Sequence, residues 1–300
     1  MKKEQFNLNL YLKKTSRPEY IYPNGAIFKQ DCVSFLKAIK DSSVDLIFAD
    51  PPYNIKKAGW DNIGSSEEYV DWSINWVKEA ARALNDSGSL FICGFTEILA
   101  DVKRPAMDFF KKCKWLIWHY DNKANLSNDW GRSHESILCL RKTENFIFNV
   151  DDVRIPYNAH TLKYPNRAQN GKNSQYGNGD EEKNWAPNPK GAKPKDVLNI
   201  PTTCNGMEEK TAHPTQKPEE LLRKLLLASS NEGSLVVDPF SGSGTTAVVA
   251  SQLNRKFIVN DNCADYNKMA KSRLDNLKFK SVEEWMQFDR ANEERRRQLK

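Results

Sequence analysis

Two short strings, far apart in the chain, hold the residues best suited to chemistry. The first is Asp50-Pro51-Pro52-Tyr53, which closes the apolar run Val44-Asp45-Leu46-Ile47-Phe48-Ala49. An acid, a proline pair and an aromatic ring together suit the gripping of a base by its exocyclic amine. The nitrogen of such an amine is a poor nucleophile because its lone pair is delocalised into the ring. Two acceptors on its hydrogens, the Asp50 carboxylate and the Pro51 carbonyl, rotate it towards tetrahedral geometry and aim the lone pair for in-line displacement. Proline locks φ, so Pro51 and Pro52 fix the turn and its acceptor, and Tyr53 offers a face for stacking. Catalysis of this kind rests on positioning and electrostatics, without a covalent enzyme intermediate. Taken alone, Asp-Pro-Pro is an ordinary strand-ending turn; a second motif is needed to favour the chemical reading.

That second motif is Asp238-Pro239-Phe240-Ser241-Gly242-Ser243-Gly244-Thr245-Thr246, which follows Leu235-Val236-Val237 and opens a helix. Glycines let a ligand approach the backbone closely, and a helix N-terminus offers free N–H groups. The lysine of a phosphate-binding loop is missing, so the pocket is nucleotide-like without being built for phosphate. One strand further on, Asp261 ends the run 257–260, where an acid grips ribose hydroxyls in such folds. It is equally placed to cap a helix over 264–277. Asp31 stands before a helical segment at 32–40 and caps it on the plainest reading. His213-Pro214-Thr215-Gln216-Lys217-Pro218 reads as a proline-rich turn leading into a helix.

The elements that must position these residues alternate. Strand 44–49 is followed by a helix that starts at a capping box, Ser65-Ser66-Glu67-Glu68, and carries the apolar stripe Val70, Ile74, Val77, Ala81 and Leu84. Asn85-Asp86-Ser87-Gly88 stops it, and strand 90–93, a helix around 97–112 and strands 115–120 and 136–140 follow. After an interruption, helix 218–229, strand 235–237, helix 244–253, strand 257–259 and helix 264–277 resume the alternation. Strands alternating with helices predict an α/β, doubly wound, mostly parallel sheet. The interruption, residues 145–206, holds eleven Asn and six Pro together with Phe146, Phe148, Tyr157, Tyr164, Tyr176 and Trp185. Disordered chains are poor in aromatics, so a loop-rich insertion is expected there.

The strings Asp50–Tyr53 and Asp238–Thr246 together resemble the amino-methyltransferases of DNA. The catalytic string precedes the glycine string, with the insertion and His213-Pro214-Thr215-Gln216-Lys217-Pro218 between them, an order similar to the β group of that family. The resemblance covers about residues 26–277. It implies a seven-stranded S-adenosylmethionine-dependent methyltransferase sheet with a loop-rich insertion, and S-adenosylmethionine as cofactor. It divides the chain into an arm (1–25), a catalytic half (26–144), a target-recognition insertion (145–206), a cofactor-binding half (207–277) and a charged C-terminal helix (278–300). It assigns Asp50, Pro51, Pro52 and Tyr53 to catalysis. It assigns Asp31, Lys217, Asp238, Phe240, Gly242, Ser243, Gly244, Thr245, Thr246 and Asp261 to the cofactor, with Asp31 on its adenine and Lys217 on its carboxylate. His134 and Glu135 fall in a segment that resembles the wall of the target-base pocket, and Trp60 and Trp130 are further stacking candidates.

The acid in the catalytic string favours adenine-N6 as the target, because cytosine-N4 members more often carry serine there. A target inside a duplex is out of reach, so the base must be flipped out. Cytosine-N4 methylation, RNA methylation and a non-catalytic nucleic-acid-binding subunit are the rival readings. Double-stranded DNA is the implied partner; a homodimer and a cognate restriction endonuclease come with the family and are left open by the residues. Composition is compatible with this. Net charge is +6 with a pI near 8.8, but it is spread out, and Arg295-Arg296-Arg297 is balanced by nearby acids. Six cysteines without a C-x-x-C pair point to reduced thiols and no metal site. No apolar stretch is long enough to span a membrane, and the polar start carries no signal pattern, so a cytoplasmic location is expected.

Overall fold

The computed structural model describes residues 6–13, 16–56, 59–122, 128–165, 167–169, 183–278 and 280–298. Tyr176 of the insertion lies outside them. The chain divides into two compact units, Met1–Asn149 with Asp196–Val282, and Val150–Lys195 with Glu283–Lys300.

The first unit is built on β1 (Tyr20–Tyr22), β2 (Gly25–Phe28), α1 (Cys32–Ala38), β3 (Val44–Ala49), α2 (Ser66–Ala83), β4 (Leu84–Gly94), α3 (Thr96–Ala106), β5 (Lys112–His119) and β6 (His134–Arg141). The second unit contributes α4 (Ala159–Lys163), β7 (Arg167–Gln169) and β8 (Lys183–Trp185). The chain then returns through β9 (Val197–Asn199), α5 (Glu219–Ser229), β10 (Leu235–Asp238), α6 (Thr245–Gln252), β11 (Lys256–Asn260) and α7 (Ala264–Asp275), and ends in α8 (Val282–Gln298).

The sheet order is β1-β2-β11-β10-β3-β4-β6-β5-β9. Strands β2, β11, β10, β3 and β4 run parallel, and β6 is antiparallel to both β4 and β5. The doubly wound, mostly parallel class is as expected, but the sheet has nine strands and not seven. The extra two are short edge strands, β1 hairpinned onto β2 and β9 laid parallel to β5.

Each central strand is apolar on both faces, which is what helices on both sides require. One parity, Ala26, Phe28, Ile47, Ala49, Leu90, Ile92, Leu138, Leu140, Val237 and Ile258, packs with Phe35, Leu36, Trp76, Val77, Ala80 and Leu99 of α1, α2 and α3. The other parity, including Ile27, Leu46, Phe48, Phe91, Val236, Phe257 and Val259, is also buried. The capping box of α2 forms, with Ser65 and Glu68 exchanging bonds; Val77, Ala81 and Leu84 of the predicted stripe are buried, Val70 and Ile74 only half-buried, and the buried face widens to take in Tyr69, Ser73, Trp76 and Ala80. Pro218 flanks α5 in an extended conformation, and the helix proper begins at Glu219.

Residues 196–206 belong to the first unit because β9 completes its sheet edge, with Ile117 N–H donating to the Asp196 carbonyl at 2.8 Å. The charged tail groups with the insertion and does not stand alone. Within that second unit, β7 and β8 form a hairpin and Arg297 of α8 donates to the Pro156 carbonyl at 2.7 Å. Among the described residues no helix is long and apolar enough to cross a membrane.

Candidate active site

β3 and β10 are parallel neighbours, with Leu46 opposite Val236 and Ile47 opposite Val237. Strand order therefore brings Asp50, just past β3, beside Asp238, which ends β10, although 188 residues separate them in sequence (238 minus 50). The chain winds outward in opposite senses from this pair, so a crevice opens at their C-terminal ends, the usual ligand position in open α/β sheets. Asp45 reinforces the register: Leu235 N–H donates to its Oδ2 at 2.6 Å, and Asn85 Nδ2 to its Oδ1 at 2.8 Å.

The crevice is a cavity of about 520 Å³, within the range of roughly 300–1,000 Å³ typical of small-molecule sites. All four residues of the catalytic string line it, as do Asp31, Lys217, Asp238, Phe240, Gly242, Ser243, Thr245, Thr246 and Asp261. Gly244, expected at the cofactor, is not among the lining residues. Its φ of 79° and its backbone's approach to Ala270, where an added Cβ would lie 2.4 Å from the Ala270 Cβ, make it a packing glycine at the start of α6. Trp60 lines the cavity, whereas Trp130 is 96% exposed and does not.

The glycine loop is held by Asp238 and by side chains of the strand and helix that follow it. Asp238 accepts from Phe240 N–H at 2.8 Å and from the Thr246 hydroxyl at 2.5 Å. Asp261 accepts from Gly242 N–H and Cys263 N–H, each at 2.9 Å. Cys263, not Asp261, is the cap residue of α7. Each carboxylate retains lone pairs for a ligand, since it has about four acceptor sites. Burial, reinforced by the charges of Asp50 and Asp261, pushes the Asp238 carboxyl up to about 7 against the opposing bonds from Thr246 and Phe240. Burial likewise raises Asp261. Asp31 caps α1, accepting from Ser34 N–H at 2.9 Å, and lines the cavity. Gly242, at φ 49°, faces His213, whose Nε2 would lie 2.8 Å from an added Cβ. The His213 ring packs edge-on against Tyr266 at 4.4 Å, a structural placement.

The catalytic turn is held differently. Lys217 Nζ lies 2.6 Å from Asp50 Oδ2 and 3.5 Å from Glu135 Oε2. The ammonium is buried; that alone would depress its pKa, but Asp50 and then Glu135 outweigh burial and hold it well above the usual lysine range. Its partner is Asp50, because a buried cation must have its countercharge at hand. Tyr53 Oη lies 2.8 Å from Asp50 Oδ1 and 2.9 Å from Glu135 Oε2. Burial, then Asp50 and Glu135, raises the phenol far above its usual range, so it stays protonated. The Tyr53 ring meets Phe95 edge-on at 4.9 Å.

Several supports carry no motif of their own. The Tyr69 hydroxyl donates to the Pro52 carbonyl at 2.7 Å. Asp61, buried in the cavity wall, accepts from Asn54 N–H at 2.7 Å and Ile55 N–H at 3.3 Å and shapes the loop after Tyr53. Asn260 accepts from Gln30 N–H at 2.9 Å and donates to the carbonyls of Gln30 at 3.0 Å and Pro239 at 3.2 Å, tying three cavity segments together. Arg273 donates to the Ser243 carbonyl at 3.0 Å and the Thr245 hydroxyl at 2.9 Å, and pairs with Glu219 at 2.7 Å.

A doubly wound sheet with acids from adjacent strand ends lining one cavity defines an α/β protein that takes a small ligand at its switch point. The chain belongs to the DNA methylase family of N6/N4 methyltransferases, whose family model matches residues 44–272. It is 34% identical over 84% of its length to 97% of the type II methyltransferase M1.MboII of Moraxella bovis. It is 36% identical over 86% of its length to 85% of the DNA adenine methyltransferase YhdJ of Escherichia coli. Among solved structures, its fold matches the PvuII DNA methyltransferase (cytosine-N4-specific) with a TM-score of 0.67 at 19% identity, covering 93% of this chain and 95% of that one.

Proposed function

We propose that the protein is a sequence-specific adenine-N6 methyltransferase of double-stranded DNA that uses S-adenosylmethionine. The observation that carries this reading is the cavity itself, in which the Asp50 turn and the Asp238–Asp261 loop face one space. S-adenosylmethionine, when bound, supplies an electrophilic sulfonium methyl. Asp31, Asp238 and Asp261 offer acceptors for its amine and hydroxyl groups. Asp50 accepts a hydrogen of the target amine, keeping its nitrogen aimed along the transfer line. Tyr53 and Trp60 wall the cavity with aromatic surface on which a flipped base can rest. The relatives named as type II and adenine methyltransferases support a DNA target, and a cognate restriction endonuclease is the partner that such a setting implies.

Cytosine-N4 is the second reading, favoured by the solved enzyme of similar fold that carries that specificity in its name. The acid at position 50 weighs for adenine. Transfer of isotope-labelled methyl groups to duplex DNA and to RNA, run side by side, tests the substrate. Label on duplex DNA alone is expected; label on RNA alone, or on neither, overturns the proposal.

A further inference from the structure

Glu135 is a buried acid that the chemistry of methyl transfer does not demand. It sits on β6 one residue beyond the stretch paired with β4, which ends at Gly94 opposite Ser136. That places it at the same end of the sheet as Asp50. Its side chain is only 12% exposed, and its Oε2 faces two partners, the Tyr53 hydroxyl at 2.9 Å and Lys217 Nζ at 3.5 Å. Both partners are also the partners of Asp50, at 2.8 Å and 2.6 Å. Asp50, Tyr53, Glu135 and Lys217 therefore close a ring of four groups, with Glu135 and Lys217 brought to the Asp50 turn from distant parts of the chain.

This ring constrains Asp50 in two ways. The Asp50 carboxylate cannot rotate without breaking its contact with the phenol or with the ammonium, and Glu135 is in reach of both, drawing on the ammonium charge and sharing the single phenol proton. Without Glu135 the phenol would have one acceptor instead of two, and the whole charge of Lys217 would fall on Asp50. A carboxylate drawn fully onto a buried ammonium is a weaker acceptor for an uncharged amine. Keeping a second acid out of water costs free energy that an apolar residue would not, so the acid is better explained by the site than by the fold.

We propose that Glu135 is a positioning residue for the methyl transfer, sharing Lys217 and Tyr53 with Asp50 so that the Asp50 carboxylate stays oriented and available to the target amine. The proposal rests on the methyltransferase reading above.

Glu135→Gln and Glu135→Ala test it. Glu135→Gln keeps the shape and an acceptor for Tyr53 but removes the countercharge to Lys217; Glu135→Ala removes both. Single-turnover methyl transfer should fall about 10-fold for the first and about 100-fold for the second, a loss typical of a displacement of about 1 Å at a reacting group. The dissociation constant for S-adenosylmethionine should stay within about threefold, a split that a merely structural role would not produce. Transfer within twofold of wild type in both variants, or rate and cofactor affinity falling in parallel, would overturn it. If Glu135→Ala does not fold, Glu135→Gln alone decides.

Isotope-labelled tyrosine NMR, with Tyr53→Phe assigning the resonance, reads the contact without any turnover. The Tyr53 signal should move in Glu135→Gln; an unmoved signal counts against the ring. A wild-type protein that methylates nothing would refute the functional reading, and the NMR result would still judge the geometry.

Discussion

The Asp50 turn and the glycine loop line the same cavity but draw their supports from different ranges of the chain. The loop from Asp238 to Thr246 is held by its own acid, which accepts from Phe240 N–H and the Thr246 hydroxyl, and by partners close behind it: Asp261 accepts from Gly242 N–H, and Asn260 and Arg273 donate to the carbonyls of Pro239 and Ser243. The turn from Asp50 to Tyr53 is held mostly from far along the chain, by Lys217 before α5 and Glu135 on β6, with Tyr69 of α2 on the Pro52 carbonyl. A ligand-binding loop can be held by the strand and helix that follow it. An acceptor that must meet a reacting amine at one angle is triangulated from several elements, and each support adds a point of failure.

Asp50→Ala should break the comparison most sharply. It removes the acceptor, so methyl transfer should fall by at least about 10³-fold, with cofactor affinity nearly unchanged. Rapid-quench transfer assays and calorimetric titration of S-adenosylmethionine measure the two quantities; a parallel loss in both would mean the two regions are not separable. Lys217→Met comes next. It leaves Asp50 and Glu135 buried without their cation, and breaking such a pair costs about 3–5 kcal/mol, which chemical denaturation should show alongside lost turnover. Gly244→Ala should strain the φ of 79° and push on Ala270, costing about 3 kcal/mol. Because Gly244 does not line the cavity, the variant that remains folded should bind cofactor with near-normal affinity.

The smallest effect is a dependence on pH. Asp238 is held up to about 7 by burial and by the neighbouring acids Asp50 and Asp261. It gains charge as pH rises through that value, so binding of the cationic cofactor should strengthen, by at most about tenfold per pH unit. The stability sign is the reverse. An acid with a raised folded pKa binds its proton more tightly when folded. Its favourable contribution is complete below the ordinary carboxylate range and is lost as pH rises towards 7. Thermal unfolding of wild type against Asp238→Asn between about pH 5 and 8 should show wild type losing ground as pH rises. A constant difference would contradict the raised pKa.

The same contrast explains what could be read from the chain. The loop and the turn were both legible as strings, and the α/β alternation gave the class of sheet in which β3 and β10 are neighbours. The capping box at Ser65 was legible because capping is local. What escaped was set by distance. Lys217 lies 167 residues from Asp50, and nothing in their spacing announces an ion pair; a cofactor carboxylate was the nearer chemical expectation. The buried face of α2 is wider than its stripe of Val77, Ala81 and Leu84 because Trp72 and Trp76 also meet Phe240, with ring centroids 5.8 Å and 5.3 Å away. Glu135 was legible only within a segment that resembles the wall of the target-base pocket, with nothing to tie it to Lys217 or Tyr53. β9 was not legible because it is only three residues long, too short to show a period.

Nucleoside mass spectrometry of unmodified duplex DNA, after incubation with S-adenosylmethionine and either wild type or Asp50→Ala, tests the adenine assignment and the role of Asp50 together. The predicted result is N6-methyladenine with wild type and essentially none with Asp50→Ala. N4-methylcytosine as the sole product, or equal yields from the two proteins, would contradict it.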